Sequence, residues 1–182
     1  MVEIEDNFLK QEECDKIAEP LLLASAFPWF FNDTIDFEDD LGNTDNFQFV
    51  HVFYHNHAPQ SKFCEKLESI INKIQPISLC RIKANLLTRT SNIVENIFHV
   101  DMLGVSEEKL KQWTTSIFYV NTNNGYTKFE DGTKVESVAN RMVTFPANIK
   151  HTGTSCTDKK TRIIINFNYF SKGESVDDNS RN

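Results

Sequence analysis

Phe98-His99-Val100-Asp101 places a histidine and a carboxylate two residues apart, and in an extended chain residues i and i+2 point to the same side. Both side chains could then grip one metal ion while Val100 turns away. His151 follows a β-prone run, Met142 to Phe145, after a break at Pro146, and offers a third donor. Two histidines and one carboxylate on one face of an ion leave its other positions open, which suits Fe(II) that must also bind a co-substrate and O2. A structural zinc site would want a closed shell, usually with cysteines. An isolated HxD occurs often by chance, and Arg162, eleven residues after His151, is what raises it. It opens the apolar run Ile163-Ile164-Ile165, where a charge should avoid the buried face unless it is paired. Its guanidinium presents a fork that matches a carboxylate. A strand-end arginine beside Lys159 and Lys160, facing water, is the other reading of the same residue.

These residues need strands to hold them, and the chain supplies them from Leu79 onward. Leu79 to Leu87, Thr114 to Asn121, Lys134 to Ala139, Met142 to Phe145 and Arg162 to Phe170 are short β-prone runs. Asn123-Asn124-Gly125, Asp131-Gly132, Asn140-Arg141 and Thr152-Gly153 supply turn chemistry between them. On the first run Arg81, Lys83 and Asn85 share one face, opposite Cys80, Ile82, Ala84 and Leu86. They either line a pocket or face water, and the second is the expectation.

Upstream the pattern is helical. Cys14, Ile17, Ala18 and Leu21 fall at i, i+3, i+4 and i+7 behind Glu12 and Glu13, with Pro20 expected to kink or end the helix. Pro59 opens a second helix whose stripe is Phe63, Leu67, Ile70, Ile71 and Ile74, stopping before Pro76. Between them, Phe27-Pro28-Trp29-Phe30-Phe31 and the acidic run Asp36 to Asp40 read as loop. A strand follows, in which Phe47, Phe49, His51 and Phe53 alternate with their neighbours. His51, His55 and His57 lack a carboxylate or cysteine at matching spacing and are expected at a solvated strand end or a substrate-side wall. The fold expected is mainly β with N-terminal helices: a β-sandwich or jelly roll buttressed by helices. One domain is expected over residues 1–170, with the polar stretch 171–182 as a flexible tail.

Composition sets limits. The chain has 182 residues, 15 of them Phe, so much of the core should be phenylalanine. Nineteen Lys and Arg against 26 Asp and Glu give a net charge of -7, which disfavours a polyanionic partner such as nucleic acid. The four cysteines, with no CxxC pair, read as reduced core thiols. An acidic start without an apolar run, and no membrane-length stretch, predict a cytoplasmic chain.

The ordered set His99-x-Asp101, His151 and Arg162, with the second histidine 52 positions after the first, resembles the 2-oxoglutarate/Fe(II) dioxygenase superfamily. Thr115-Ser116-Ile117-Phe118-Tyr119-Val120-Asn121, Gly125-x-Thr127-x-Phe129 and the spacing Phe145 to His151 are similar to its prolyl 4-hydroxylase branch. The opening Ile4-Glu5-Asp6-Asn7-Phe8-Leu9 is similar to small members, some phage-encoded. The resemblance runs from Arg81 to Phe170. It implies a double-stranded β-helix, the cupin-like jelly roll, with His99, Asp101 and His151 as iron ligands. It also implies Arg162 as the partner of the distal carboxylate of 2-oxoglutarate, Tyr119 helping to hold that carboxylate, and O2 consumed with ascorbate as a stimulant. The activity implied is hydroxylation of a C–H bond in a peptide or protein, with peptidyl proline as the expected group. The chain departs from the pattern in three places. The segment Thr88 to Ile97 is long, Asn85 stands where many relatives have tyrosine, and Arg162 replaces the lysine of many prolyl 4-hydroxylases, which points toward oxygen-sensor-like or bacterial forms. Two other classes fit the residues: a cupin-like metal enzyme without 2-oxoglutarate, and a jelly-roll binding module with the aromatic segment around Trp29 as its contact surface.

Overall fold

The computed structural model describes residues 1–23, 27–35, 47–102 and 104–171. The acidic run from Asp36 to Asp40 and the expected tail beyond Ser171 lie outside the described residues. In chain order the strands are β1 (Glu3–Glu5), β2 (Phe30–Asn32), β3 (Gln48–His55), β4 (Ala58–Pro59), β5 (Ser78–Thr88), β6 (Thr114–Tyr119), β7 (Tyr126–Phe129), β8 (Lys134–Glu136), β9 (Arg141–Pro146), β10 (His151–Gly153) and β11 (Thr161–Phe170). The helices are α1 (Gln11–Leu22), α2 (Glu68–Ile74) and α3 (Glu107–Leu110), with a 3-10 helix at Lys62–Leu67. The strands form two antiparallel sheets. The larger runs β1-β9-β6-β11-β5-β3-β2, with β4 beside β3, and the smaller runs β10-β7-β8. The result is mainly β, with the jelly-roll arrangement and N-terminal helices expected.

Strand periodicity divides the larger sheet into two faces. On β5, Ile82, Ala84 and Leu86, and on β11, Ile163, Ile165, Phe167 and Tyr169, join Ile17, Leu21, Leu67 and Ile70 of the helices in one apolar cluster. On the other face Ile117, Tyr119, Val143 and Ile164 meet Phe129 and Val135 of the smaller sheet. The helices therefore seal one side, and the opposite side is free to hold polar side chains between the sheets. Asn140, at φ 62°, ties the N-terminal segment down, accepting from Leu9 N at 2.9 Å and donating to Leu9 O at 2.8 Å.

Several local expectations change. Pro59 lies in β4 and opens no helix, because a proline is equally at home on a sheet edge, where no ladder N–H is required. The second helical segment starts instead with Ser61, whose hydroxyl accepts from Phe63 N, and passes from 3-10 to α geometry at Glu68. Gln75, at φ 45°, ends it before Pro76. Pro20 does not break α1; it sits in the last turn, where little helix remains to lose. Thr152-Gly153 is strand, paired with Lys128 and Thr127, and makes no turn. The aromatic loop is split: Phe27 is core, Trp29 packs against it, and Phe30 and Phe31 stand exposed on β2. Cys14 and Cys156 are buried, Cys64 and Cys80 half-buried, and all four are free.

His51 is neither solvated nor on a pocket wall. It is 2% exposed, ringed by Phe27, Phe53 and Phe63 on the helix side of the sheet, with Nδ1 2.8 Å from Pro28 O and Nε2 without a hydrogen-bond partner among the described residues. Burial lowers its pKa, outweighing the Pro28 carbonyl. A histidine whose folded pKa is depressed lends stability that is complete above its unfolded pKa of about 6.5 and is lost as pH falls below it. His51→Phe is expected to shrink the loss of melting temperature between about pH 7.5 and about pH 5.5. Parallel thermal melts of the two proteins check this, and equal losses would assign the acid sensitivity elsewhere.

Candidate metal centre

The HxD pair is brought to His151 by backbone. His99 and His151 form an isolated antiparallel bridge, each N–H donating to the other's carbonyl at 3.0 Å. A second bridge, Glu95 to Thr154, and the bond from Ser155 N to Val94 O continue this pairing, so the long segment before the HxD runs along β10 and the residues after it. The imidazole rings stand 5.1 Å apart at a 49° tilt. One donor atom from each of His99, Asp101 and His151 lies within 4.8 Å of the other two. Phe129 and Phe145 wall His151 in. Its pKa is lowered chiefly by burial, so its neutral form prevails. The Nδ1 atoms lie 3.1 Å from Ile97 O in His99 and 3.4 Å from Ile149 O in His151. Donation there leaves each Nε2 lone pair available.

Asp101 is held from behind. Asn168 Nδ2 donates to its Oδ2 at 3.0 Å, Asn166 Nδ2 reaches both oxygens at 3.2 and 3.3 Å, and Arg81 Nη2 lies 3.4 Å from Oδ1. Burial alone would raise this carboxyl, but Arg81, the two imidazoles and Asn168 outweigh it and hold the carboxyl well below the usual range. It is an anion with an oxygen placed beside donor atoms of both histidines. Two imidazoles and a carboxylate converging in this way fit a divalent first-row ion and leave coordination positions open.

These side chains open onto a cavity of about 250 Å³. Arg162 lines its inner wall, 1% exposed, donating from Nε to Ser137 Oγ at 2.8 Å and from Nη2 to Thr127 Oγ1 at 3.1 Å. It has no carboxylate partner among the described residues, and burial lowers its pKa. Gly125 makes room for it: a Cβ there would meet Arg162 Cδ at 2.6 Å and Ser155 O at 2.6 Å.

Arg81, Lys83 and Asn85, expected to face water, line this cavity instead. Parity put them on one face, but both faces of the sheet are covered, so the polar face is interior. Val100 also contributes to the wall. Tyr119 is fully buried, and its hydroxyl donates to Thr127 Oγ1 at 2.8 Å, so it reaches the cavity through that threonine. His55 and His57 are exposed. The sequence reading missed Asn166 and Asn168 as supports of Asp101 and Ser137 as a support of Arg162. The two asparagines carried a signal: they share the parity of Arg162 along β11.

Compared by sequence, the chain matches no family model and no curated protein. Compared by structure, it is similar to the non-heme alpha-ketoglutarate-dependent epimerase SnoN from nogalamycin biosynthesis, with 12% identity and a TM-score of 0.65 over 93% of this chain and 78% of that one. It is similar to a Pseudomonas putida prolyl 4-hydroxylase, with 12% identity and a TM-score of 0.59 over 94% and 92% of the two chains. A viral collagen prolyl hydroxylase from Paramecium bursaria Chlorella virus-1 matches with 15% identity and a TM-score of 0.56 over 94% and 96%. The likeness is one of fold, and the fold is the jelly roll of the 2-oxoglutarate/Fe(II) oxygenases.

Proposed function

We propose that the chain is a 2-oxoglutarate-dependent Fe(II) oxygenase that hydroxylates a substrate C–H bond, with His99, Asp101 and His151 holding the iron. The observation that carries the reading is one cavity that brings together three metal-donor side chains, His99, Asp101 and His151, and the buried guanidinium of Arg162, which has no carboxylate partner among the described residues. Fe(II) held by His99, Asp101 and His151 would supply, with 2-oxoglutarate and O2, the coupling of oxidative decarboxylation, to succinate and CO2, to insertion of oxygen into a C–H bond. The chain's own residues do the positioning. Arg162 takes the distal carboxylate of 2-oxoglutarate, and Asp101 stays ionised as a ligand and is not a proton-transfer base. Thr127 Oγ1 accepts from both Tyr119 and Arg162, which leaves its own proton free to donate into the cavity. Tyr119 thus supports the co-substrate through Thr127.

Peptidyl proline is the substrate group we propose first. Two of the structurally similar proteins are prolyl hydroxylases, the net charge of -7 opposes a polyanion, and Phe30 and Phe31 offer exposed rings on an edge strand. Flat rings suit an extended proline-containing chain. Substrate-stimulated decarboxylation with proline-rich peptides, oligonucleotides and free amino acids, read by mass spectrometry for a gain of one oxygen, tests it. Oxidation confined to the non-peptide substrates overturns the proline assignment and leaves the metal site standing.

Anaerobic addition of Fe(II) and 2-oxoglutarate is expected to give a visible charge-transfer band that needs both. His99→Ala, Asp101→Ala and His151→Ala are each expected to abolish the band and turnover while the far-ultraviolet circular dichroism is unchanged. Near wild-type turnover in any one removes that residue from the site.

Arg162→Ala is expected to cost about 2 to 5 kcal/mol of 2-oxoglutarate affinity while sparing metal binding, because it deletes one partner of a desolvated charge pair. Gly125→Ala should raise the 2-oxoglutarate requirement in the same direction by displacing the Arg162 side chain. Titration of 2-oxoglutarate at saturating Fe(II) measures both, and an unchanged requirement in Arg162→Ala transfers the role to another base.

A further inference from the structure

Lys83 stands in the same cavity wall and has no task in the reading above. It faces Asn166 across one rung of the β5–β11 pairing. On one side lies the rung of Asn85 and Ile164, toward Arg162; on the other lies the rung of Arg81 and Asn168, which carry Asp101. The Lys83 ammonium has no hydrogen bond or ion pair among the described residues. Burial pushes it down to about 8, with Arg81 adding repulsion and Asp101 opposing. Asn166 spends its amide on Asp101, and its buried side-chain carbonyl has no partner among the described residues.

Lysine seldom enters an interior without an anion. Arg81 is committed to Asp101, so among the described residues the wall has two cations with no carboxylate paired to them, Arg162 at one end and Lys83 nearer the metal ligands. Four residues of strand separate their rungs, about 13 Å of backbone. An extended five-carbon diacid with a charge-assisted hydrogen bond of about 2.8 Å at each end spans a gap of that order.

We infer that Lys83 is a second carboxylate-binding cation, gripping the metal-end carboxylate of the same diacid whose far end Arg162 takes, so that the cavity selects diacids over monoacids. This rests on the co-substrate reading above.

Calorimetric titration tests it with 2-oxoglutarate on Mn(II)-loaded protein, and with glutarate and pentanoate on EDTA-treated protein. The wild type is expected to bind glutarate and to prefer it to pentanoate. Lys83→Met should weaken both diacids about tenfold or more, and Lys83→Arg should restore most of the loss. Lys83→Gln serves as the second uncharged variant. Because methionine removes a half-buried charge that has no hydrogen bond or ion pair among the described residues, ligand-free Lys83→Met is expected to melt above the wild type and to gain less from 2-oxoglutarate. Diacid binding within about twofold of wild type in both uncharged variants would overturn the inference alone and give Lys83 to the primary substrate. A wild type that binds neither diacid would overturn the co-substrate reading and the inference with it.

Discussion

The reciprocal backbone hydrogen bonds between His99 and His151 are the constraint on which the site depends. A hydrogen-bonded antiparallel pair holds its two Cα atoms about 5.5 Å apart and directs both side chains to one face. Two imidazoles from distant parts of the chain are thereby set side by side before any metal arrives. Asp101 then needs only local geometry to join them. The bridge accounts for the long segment between β5 and His99, which pairs strand-like against 151–155 and brings the HxD to β10. A shorter connection would leave His99 short of its partner.

Charge burial is made tolerable by the same layering. Because α1, the 3-10 helix and α2 cover one face of the larger sheet with apolar contacts, alternate residues of β5 and β11 can be polar on the other face without exposing the core. Asp101 is compensated three times over, by Asn166, Asn168 and Arg81. Arg162 is held, among the described residues, by neutral groups: the hydroxyls of Ser137 and Thr127 and the Tyr119 ring 5.8 Å away. Such an arrangement costs stability in the absence of an anion and returns it as affinity when one binds. The unequal treatment of the two buried charges gives the cavity its direction, a cation end at Asp101 and an anion end at Arg162.

Much of this was legible in the sequence, and the reason is locality. Same-side placement of His99 and Asp101 needs only the two-residue period of an extended chain, and the helical stripes of Cys14 to Leu21 and Phe63 to Ile74 need only the helical one. The alternation of Phe49, His51 and Phe53 already placed His51 with core residues, as the structure finds, although the histidine's polarity argued for solvent. Local chemistry misled where a residue suits two settings, as Pro59 suits a helix start or a sheet edge, and Thr152-Gly153 a turn or a strand.

The sequence by itself determined which residues share a face: Arg81 with Lys83 and Asn85, and Arg162 with Ile164, Asn166 and Asn168. Only the tertiary structure decided that this face looks inward, because strand parity is silent on what covers a sheet. Only it decided that His151 meets His99, that Tyr119 turns to Thr127, and that Arg162 has no carboxylate partner among the described residues. Those outcomes depend on pairing register between segments far apart in the chain, and register is fixed by the packing of both sheets together and by no short stretch within either.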